Sequence, residues 1–378
     1  MHVLQGCSHA TDGAVAVSEA TEGWDQAPDI VFAFCSAAQD AQAVAAALAE
    51  AFPGTPIAGC TTSGEHLSGA HHRSSLVVAG LVDSGVAWGC ELVKGLAQVD
   101  GAGAEAAAGR LFEAVDFDAE ASDPDELFAL LFIDGLSMQE ERITALLDSA
   151  LQGVPMAGGS AGDDLAFERT EVLHASGAHS DAMVLVVGRP ERTKVRILKH
   201  QHFTPTARHL VITKADPARR KVVEIDGYPA VSAYAAALGL RPDEVTGDVT
   251  FLHPVTFRYQ GELYVRSIQA VQEDGSLDFY CAIEEGMVLE IGGHEAMAPA
   301  LTSDLSTLRD ELGKLDFVLG FNCILRALES EGAGEHGAIG DAFASVCTAM
   351  VGFDTYGEQL HGLHINQTLV AVGFADAA

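Results

Sequence analysis

Three turns in the chain combine glycines with an acid. Gly59-Cys60-Thr61-Thr62-Ser63-Gly64-Glu65 and Gly352-Phe353-Asp354-Thr355-Tyr356-Gly357-Glu358 share one spacing, and Gly158-Gly159-Ser160-Ala161-Gly162-Asp163 is one residue shorter. Glycine permits positive φ or close backbone approach, so each acid can stand at the mouth of a tight turn. Such a carboxylate is either a binding group or an acid that merely ends a turn in solvent, and both readings stand at this point. A nucleophile reading is also available: Cys60 has His66, His71 and His72 near it in sequence, and Ser160 follows two glycines. Ser160 lacks the strand, elbow, helix order of a G-x-S-x-G turn, because a strand follows it. No GKS, GKT or helix-opening GxGxxG is present to cradle a phosphate. The expectation is a protein that is not an enzyme, with a hydrolase built on Cys60 or Ser160 as the weakest alternative.

Each turn belongs to a longer unit that recurs. From Asp29 a strand-length DIVFAFCS leads to a helix with Val44, Leu48 and Phe52 on one face, then to the first turn and the strand SSLVVAGLV. From Glu126 the order returns as ELFALLFIDG, a helix aligning Ile143, Leu147 and Leu151, the second turn, and DAMVLVVG. The third copy runs from DFVLGFNC through a helical stretch with Ile339, Phe343, Val346 and Cys347 to the third turn and NQTLVAVGF. Continuous apolar strands alternating with helices predict an α/β, mixed α+β fold of two domains, built from strand-helix-strand-strand units with sheets covered by helices.

Between the second and third copies the pattern changes. Strands broken by Pro205, Asp216-Pro217 and Asp226-Gly227 lead to a helix over 230–238, and Glu273-Asp274-Gly275 marks a hairpin. The expected divisions are an N-terminal extension over 1–28, one domain over 29–190 and a second over 191–378, with the boundary near Gly188–Glu191.

Composition narrows the class. Among 378 residues, 21 Lys and Arg stand against 54 Asp and Glu, a formal charge of -33. So acidic a surface repels phosphate backbones and anionic headgroups, which disfavours a nucleic-acid binder or a polybasic membrane anchor. Basic residues gather between Arg189 and Lys221, so that stretch is expected to meet an anionic ligand or partner. Cys7, Cys35, Cys60, Cys90, Cys281, Cys323 and Cys347 are spread singly without CxxC spacing, which argues against a structural zinc site and a disulfide framework. No apolar run reaches the roughly 20 residues of a spanning helix, and no secretory leader is evident, so a soluble cytoplasmic protein is expected.

The three turns, together with Glu224-Ile225-Asp226-Gly227-Tyr228-Pro229-Ala230, Asn322-Cys323-Ile324-Leu325-Arg326 and Asn366-Gln367-Thr368, resemble the FIST sensory proteins. The resemblance runs from about Asp29 to Phe374, with a FIST N-like half and a FIST C-like half. It implies an input module of signal transduction that binds a small ligand such as an amino acid and acts on a separate histidine kinase or cyclic-di-GMP enzyme. One branch of stand-alone members binds haem and senses nitric oxide for a partner kinase.

An amino-acid-like ligand needs a carboxylate for its ammonium and an Arg or backbone N–H groups for its own carboxylate. Glu65, Asp163 and Glu358 are candidates for the first and Arg326 for the second. Cys60, Thr61, Ser160, Tyr356 and Asn366 complete the expected site. Under the haem alternative, haem b would take an axial ligand from His202, His361 or His364.

Overall fold

The computed structural model describes residues 1–377. The chain forms two compact units, one of residues 1–200, 301–364 and 369–377, the other of residues 201–300 and 365–368. The architecture is mixed α+β, as the alternation of strands and helices predicts.

The larger unit contains the three copies. The first has core strands Ile30–Ser36, Ile57–Thr62 and Leu76–Val82 with helix Ala41–Ala51. The second has Phe128–Ile133, Met156–Ser160 and Ala182–Pro190 with helix Glu140–Ala150. The third has Phe317–Cys323, Met350–Thr355 and Leu369–Asp376 with helices Ile324–Ala333 and His336–Ala344. In each, the first two core strands are parallel and the third is antiparallel to the first.

Each copy is longer than the sequence pattern suggests. An opening strand precedes it, His2–Ser8, Val86–Lys94 or Thr193–His200, pairing with that copy's last strand. An opening helix follows, Gly13–Ala20, Gly101–Ala114 or Met297–Leu312. Residues 1–28, expected as an extension, thus supply the first strand and helix of copy one. In copy three, strand and helix are separated in sequence by residues 201–296, and most of that span forms the smaller unit.

The copies also exchange hairpins. The hairpin of copy one, Glu65–Leu67 with Ala70–His72, pairs with Met350–Thr355 of copy three. The hairpin of copy three, Glu358–Leu360 with Leu363–Ile365, pairs with Met156–Ser160 of copy two. That of copy two, Val172–His174 with Gly177–His179, pairs with Ile57–Thr62 of copy one. Three six-stranded sheets of the same order result, each completed by another copy's hairpin.

This arrangement explains why the core strands read as unbroken apolar runs. Successive side chains point to opposite faces of a sheet. Val31, Ala33 and Cys35 pack with the helices of copy one, and Ala129, Leu131 and Ile133 with those of copy two. The alternate residues Phe34, Phe132, Phe321 and Phe353 meet as rings from all three sheets. Both faces exclude water, so neither can be polar.

The smaller unit holds an eight-stranded antiparallel sheet whose apolar face packs on helix Ala230–Leu238, the span the sequence indicates. Asp226 and Gly227 both have positive φ in the turn joining Lys221–Ile225 to Tyr228–Pro229.

Candidate functional site

The exchanged hairpins create three junctions of one design. The register sets Val172 opposite Cys60, Glu358 opposite Gly159 and Glu65 opposite Phe353. One residue further along the core strand, the N–H groups of Thr61, Ser160 and Asp354 donate to the carbonyls of Glu171, Gly357 and Gly64, at 2.8, 2.9 and 2.8 Å. Thr61, Ser160 and Asp354 are therefore equivalent. By the same register, Leu173 and Ala178, Gln359 and His364, and His66 and His71 are the equivalent hairpin pairs.

That register corrects one expectation. Val172, not Asp163, is the counterpart of Glu65 and Glu358. The chain takes 12 positions from Ser160 to Val172 but four from Thr61 to Glu65 and from Asp354 to Glu358. Asp163 lies in the added loop, where its carboxylate accepts the N–H groups of Phe167, Glu168 and Arg169 and the hydroxyl of Tyr356.

The third junction carries the most ionisable chemistry. Nε2 of His66 lies 2.7 Å from Oδ1 of Asp354, and Nε2 of His71 lies 2.7 Å from Oδ2. Burial alone would raise the Asp354 pKa, but the two imidazoles outweigh it and hold the carboxyl well below its usual range. Asn322 Nδ2 donates to Oδ1 at 2.7 Å, and Arg326 Nε donates to Asn322 Oδ1 at 3.1 Å. His336 stacks on His71, centroids 4.8 Å apart and planes 8° apart. Gly64 makes room for this group: with φ of +148°, a Cβ there would stand 2.5 Å from Asp354 Oδ2.

Arg326 is 1 % exposed and lies in the first turn of helix Ile324–Ala333, which follows directly on strand Phe317–Cys323. Burial lowers its pKa to about 10, while Glu329 and Glu358 favour its charge, so it remains a cation at neutral pH. With His66, Asn322, Ser330 and His336 it lines a cleft of about 20 Å³. That is room for a water molecule or two.

Glu65 and Glu358, both fully buried, are held alike. Thr62 Oγ1 and Ser75 Oγ donate to Glu65, and Thr355 Oγ1 donates to Glu358 at 2.5 Å. Burial pushes Glu65 up to about 7 against the pull of those hydroxyls.

Residues 29–228 match the family model of the FIST N domain, and residues 230–361 match that of the FIST C domain. The chain belongs to the FIST family. FIST domains are sensory domains of signal transduction. No curated protein matches.

The residues expected to form the FIST ligand site are spread over several places. Tyr356 and Asp163 are bonded to each other, and Arg326 interacts electrostatically with Glu358 and Asp354. Thr61 Oγ1 accepts the Glu171 N–H, and Ser160 Oγ accepts from Gln359 Nε2 at 2.9 Å. Asn366 belongs to the smaller unit and is buried there. Cys60 is fully buried and its thiol is pushed well above the usual value, the opposite of an activated thiolate. His66 and His71 serve Asp354 instead of Cys60.

The haem candidates lie away from this cleft. His361 is exposed in a hairpin turn, and His364 is buried with Nδ1 3.0 Å from Gln359 Nε2. In the smaller unit, the His202 ring lies 4.3 Å from that of Phe203. None of the three lines the cleft, whose volume is a small fraction of a haem's.

Sequence reasoning passed over Asp354 and Asn322 as ligand-site groups and weighed His66 and His71 only as bases for Cys60. The available signal was that Thr61 and Ser160 have an ionisable counterpart only in copy three. Reading it requires knowing that a hairpin crosses 288 positions to reach Asp354.

Proposed function

We propose that this FIST protein is a sensor that binds a small amino-acid-like ligand at the cleft beside Arg326 and passes the result to a separate signalling protein, a histidine kinase or a cyclic-di-GMP enzyme. The observation that supports it is a fully buried guanidinium opening onto a cleft. A guanidinium binds a ligand carboxylate in a two-point fork that Lys cannot reproduce, and a low-dielectric site strengthens that bond. Asn322 and Ser330 add neutral hydrogen-bonding groups.

At about 20 Å³ the cleft holds water rather than an amino acid, so binding requires the cleft to open. The two helices that carry Arg326, Ser330 and His336, Ile324–Ala333 and His336–Ala344, are joined at Gly334, whose φ is +69°. Movement of that helix pair is the change a partner would read.

A thermal-shift panel of amino acids on the full chain tests the reading. At least one should raise Tm, and Arg326→Lys should lose that rise while keeping the unliganded Tm close to wild type. An intact rise in Arg326→Lys and in Asn322→Ala overturns the assignment. A Soret band after haem addition, lost in a histidine variant, would replace it with the haem reading.

A further inference from the structure

We propose that His66, His71 and Asp354 form a binding site for one divalent first-row transition metal. The proposal stands on the geometry of the third junction and does not depend on the ligand reading.

One ring nitrogen of His66, one of His71 and a carboxylate oxygen of Asp354 all lie within 4.8 Å of one another. Bonds of roughly 2.0–2.2 Å in tetrahedral geometry set ligand atoms about 3.3 Å apart. Each 2.7 Å contact needs to open by only about 0.6 Å to admit an ion. The imidazoles can supply this movement, being 14 % exposed on a three-residue strand pair, whereas Asp354 is fully buried and fixed.

The other junctions act as internal controls. At the same three positions copy two's sheet has Ser160, Gln359 and His364, joined by hydrogen bonds. Copy one's sheet has Thr61, Leu173 and Ala178. The fold closes the junction with a polar set or an apolar pair, so packing alone does not call for two imidazoles and a carboxylate.

The surroundings match what a bound ion needs. Asn322 orients the carboxylate and is itself held by Arg326, an outer layer of the kind that fixes metal ligands. The His336 ring braces His71, and its Nδ1 lies 2.8 Å from Ser330 Oγ. His66, Asn322, Ser330 and His336 all line the cleft, which has room for the water that would fill an open coordination position. Two imidazoles and one carboxylate suit zinc, cobalt or ferrous iron over magnesium or calcium, which prefer all-oxygen sets. A further His, Cys and His group, Cys7, His9 and His72, is a poorer candidate, since burial raises the Cys7 thiol and His9 is exposed.

The test is titration of the EDTA-treated, dialysed full-length protein with Co²⁺, read by visible d–d absorption, followed by competition with Zn²⁺. One Co²⁺ per chain is expected, displaced by Zn²⁺. His66→Gln copies the residue that the second junction uses at this place, so it keeps a hydrogen bond to the neighbouring side chain. It should retain the metal-free Tm and weaken Co²⁺ binding at least 100-fold, as should His71→Gln. His361→Ala, on an exposed turn, should bind as wild type does. Should the variants fold poorly, Zn²⁺ added to metal-free wild type decides alone, with a saturable rise in Tm expected. No d–d bands and no Tm rise in wild type, or wild-type affinity in His66→Gln, overturns the site.

Discussion

Phe34 of the first copy and Phe353 of the third stack with centroids 4.7 Å apart and planes 29° apart. Phe132 of the second copy lies 6.1 Å from Phe34 and 6.4 Å from Phe353, so one ring from each sheet meets the other two. All three are fully buried. The aromatic group is therefore one place where the three sheets are packed against one another, and Phe32, Trp88 and Phe374 form another.

Truncating the middle ring should loosen all three sheets. Phe132→Ala removes a buried ring from a rigid cluster and is expected to cost about 3–5 kcal/mol. Phe132→Leu keeps most of the volume and should cost roughly half as much or less. Urea unfolding followed by far-UV circular dichroism reads both. A cost for Phe132→Ala below about 1 kcal/mol would mean that the ring is not a joint support of the sheets.

The leading glycine of each turn has a different role from the one its sequence suggests. Gly59, Gly158 and Gly352 sit opposite Ala33, Leu131 and Gly320 in the parallel ladders. A Cβ at these glycines would stand 1.8, 2.3 and 2.4 Å from the carbonyl oxygens of those residues. Close backbone approach inside the strand, rather than a turn, is what excludes a side chain. Gly59→Ala is expected to cost more than about 3 kcal/mol or to prevent soluble expression. Gly109, inside helix Gly101–Ala114 with nothing within 4 Å of its added Cβ, gives the opposite sign. Gly109→Ala should stabilise by about 0.5–1 kcal/mol, read as a rise in Tm.

How far the sequence could be read follows from the range of each interaction. The core strands and helices of the three copies were legible because period-2 and period-3.6 apolar patterns are local. Residues 2–8 and 13–20 were not read as a strand and helix of the fold: helix Gly13–Ala20 is short and the strand's apolar signal is weak. The hairpins Glu65–His72 and Glu358–Ile365 were hidden for another reason. Their strands are three residues long, too short to show an apolar period, and their partners lie in another copy. His66, His71 and Asp354 become a group only through that exchange, so no spacing along the chain could have joined them. For Arg326 the sequence left a cleft and an exposed helix end equally open, and only the packing of helix Ile324–Ala333 against its neighbours shows that the side chain is buried.

Asp163 offers a direct test of whether an acid of the expected ligand site serves the fold. Asp164, Leu165 and Phe167 all have positive φ, near +56°, +66° and +54°, a conformation that costs each about 1 kcal/mol. The Asp163 carboxylate offsets this by accepting three backbone N–H groups and the Tyr356 hydroxyl, and that hydroxyl also accepts the Leu165 N–H at 2.8 Å. The Phe167 ring closes the loop by stacking on Tyr356 at 4.9 Å. Asp163→Ala should cost about 2–4 kcal/mol, Tyr356→Phe about 1–2 kcal/mol, and the double variant less than their sum, because both remove the same bond. Urea unfolding of the four proteins measures the coupling. Strict additivity would show that the two side chains act separately, and an unchanged stability in Asp163→Ala would return the carboxylate to the list of ligand groups.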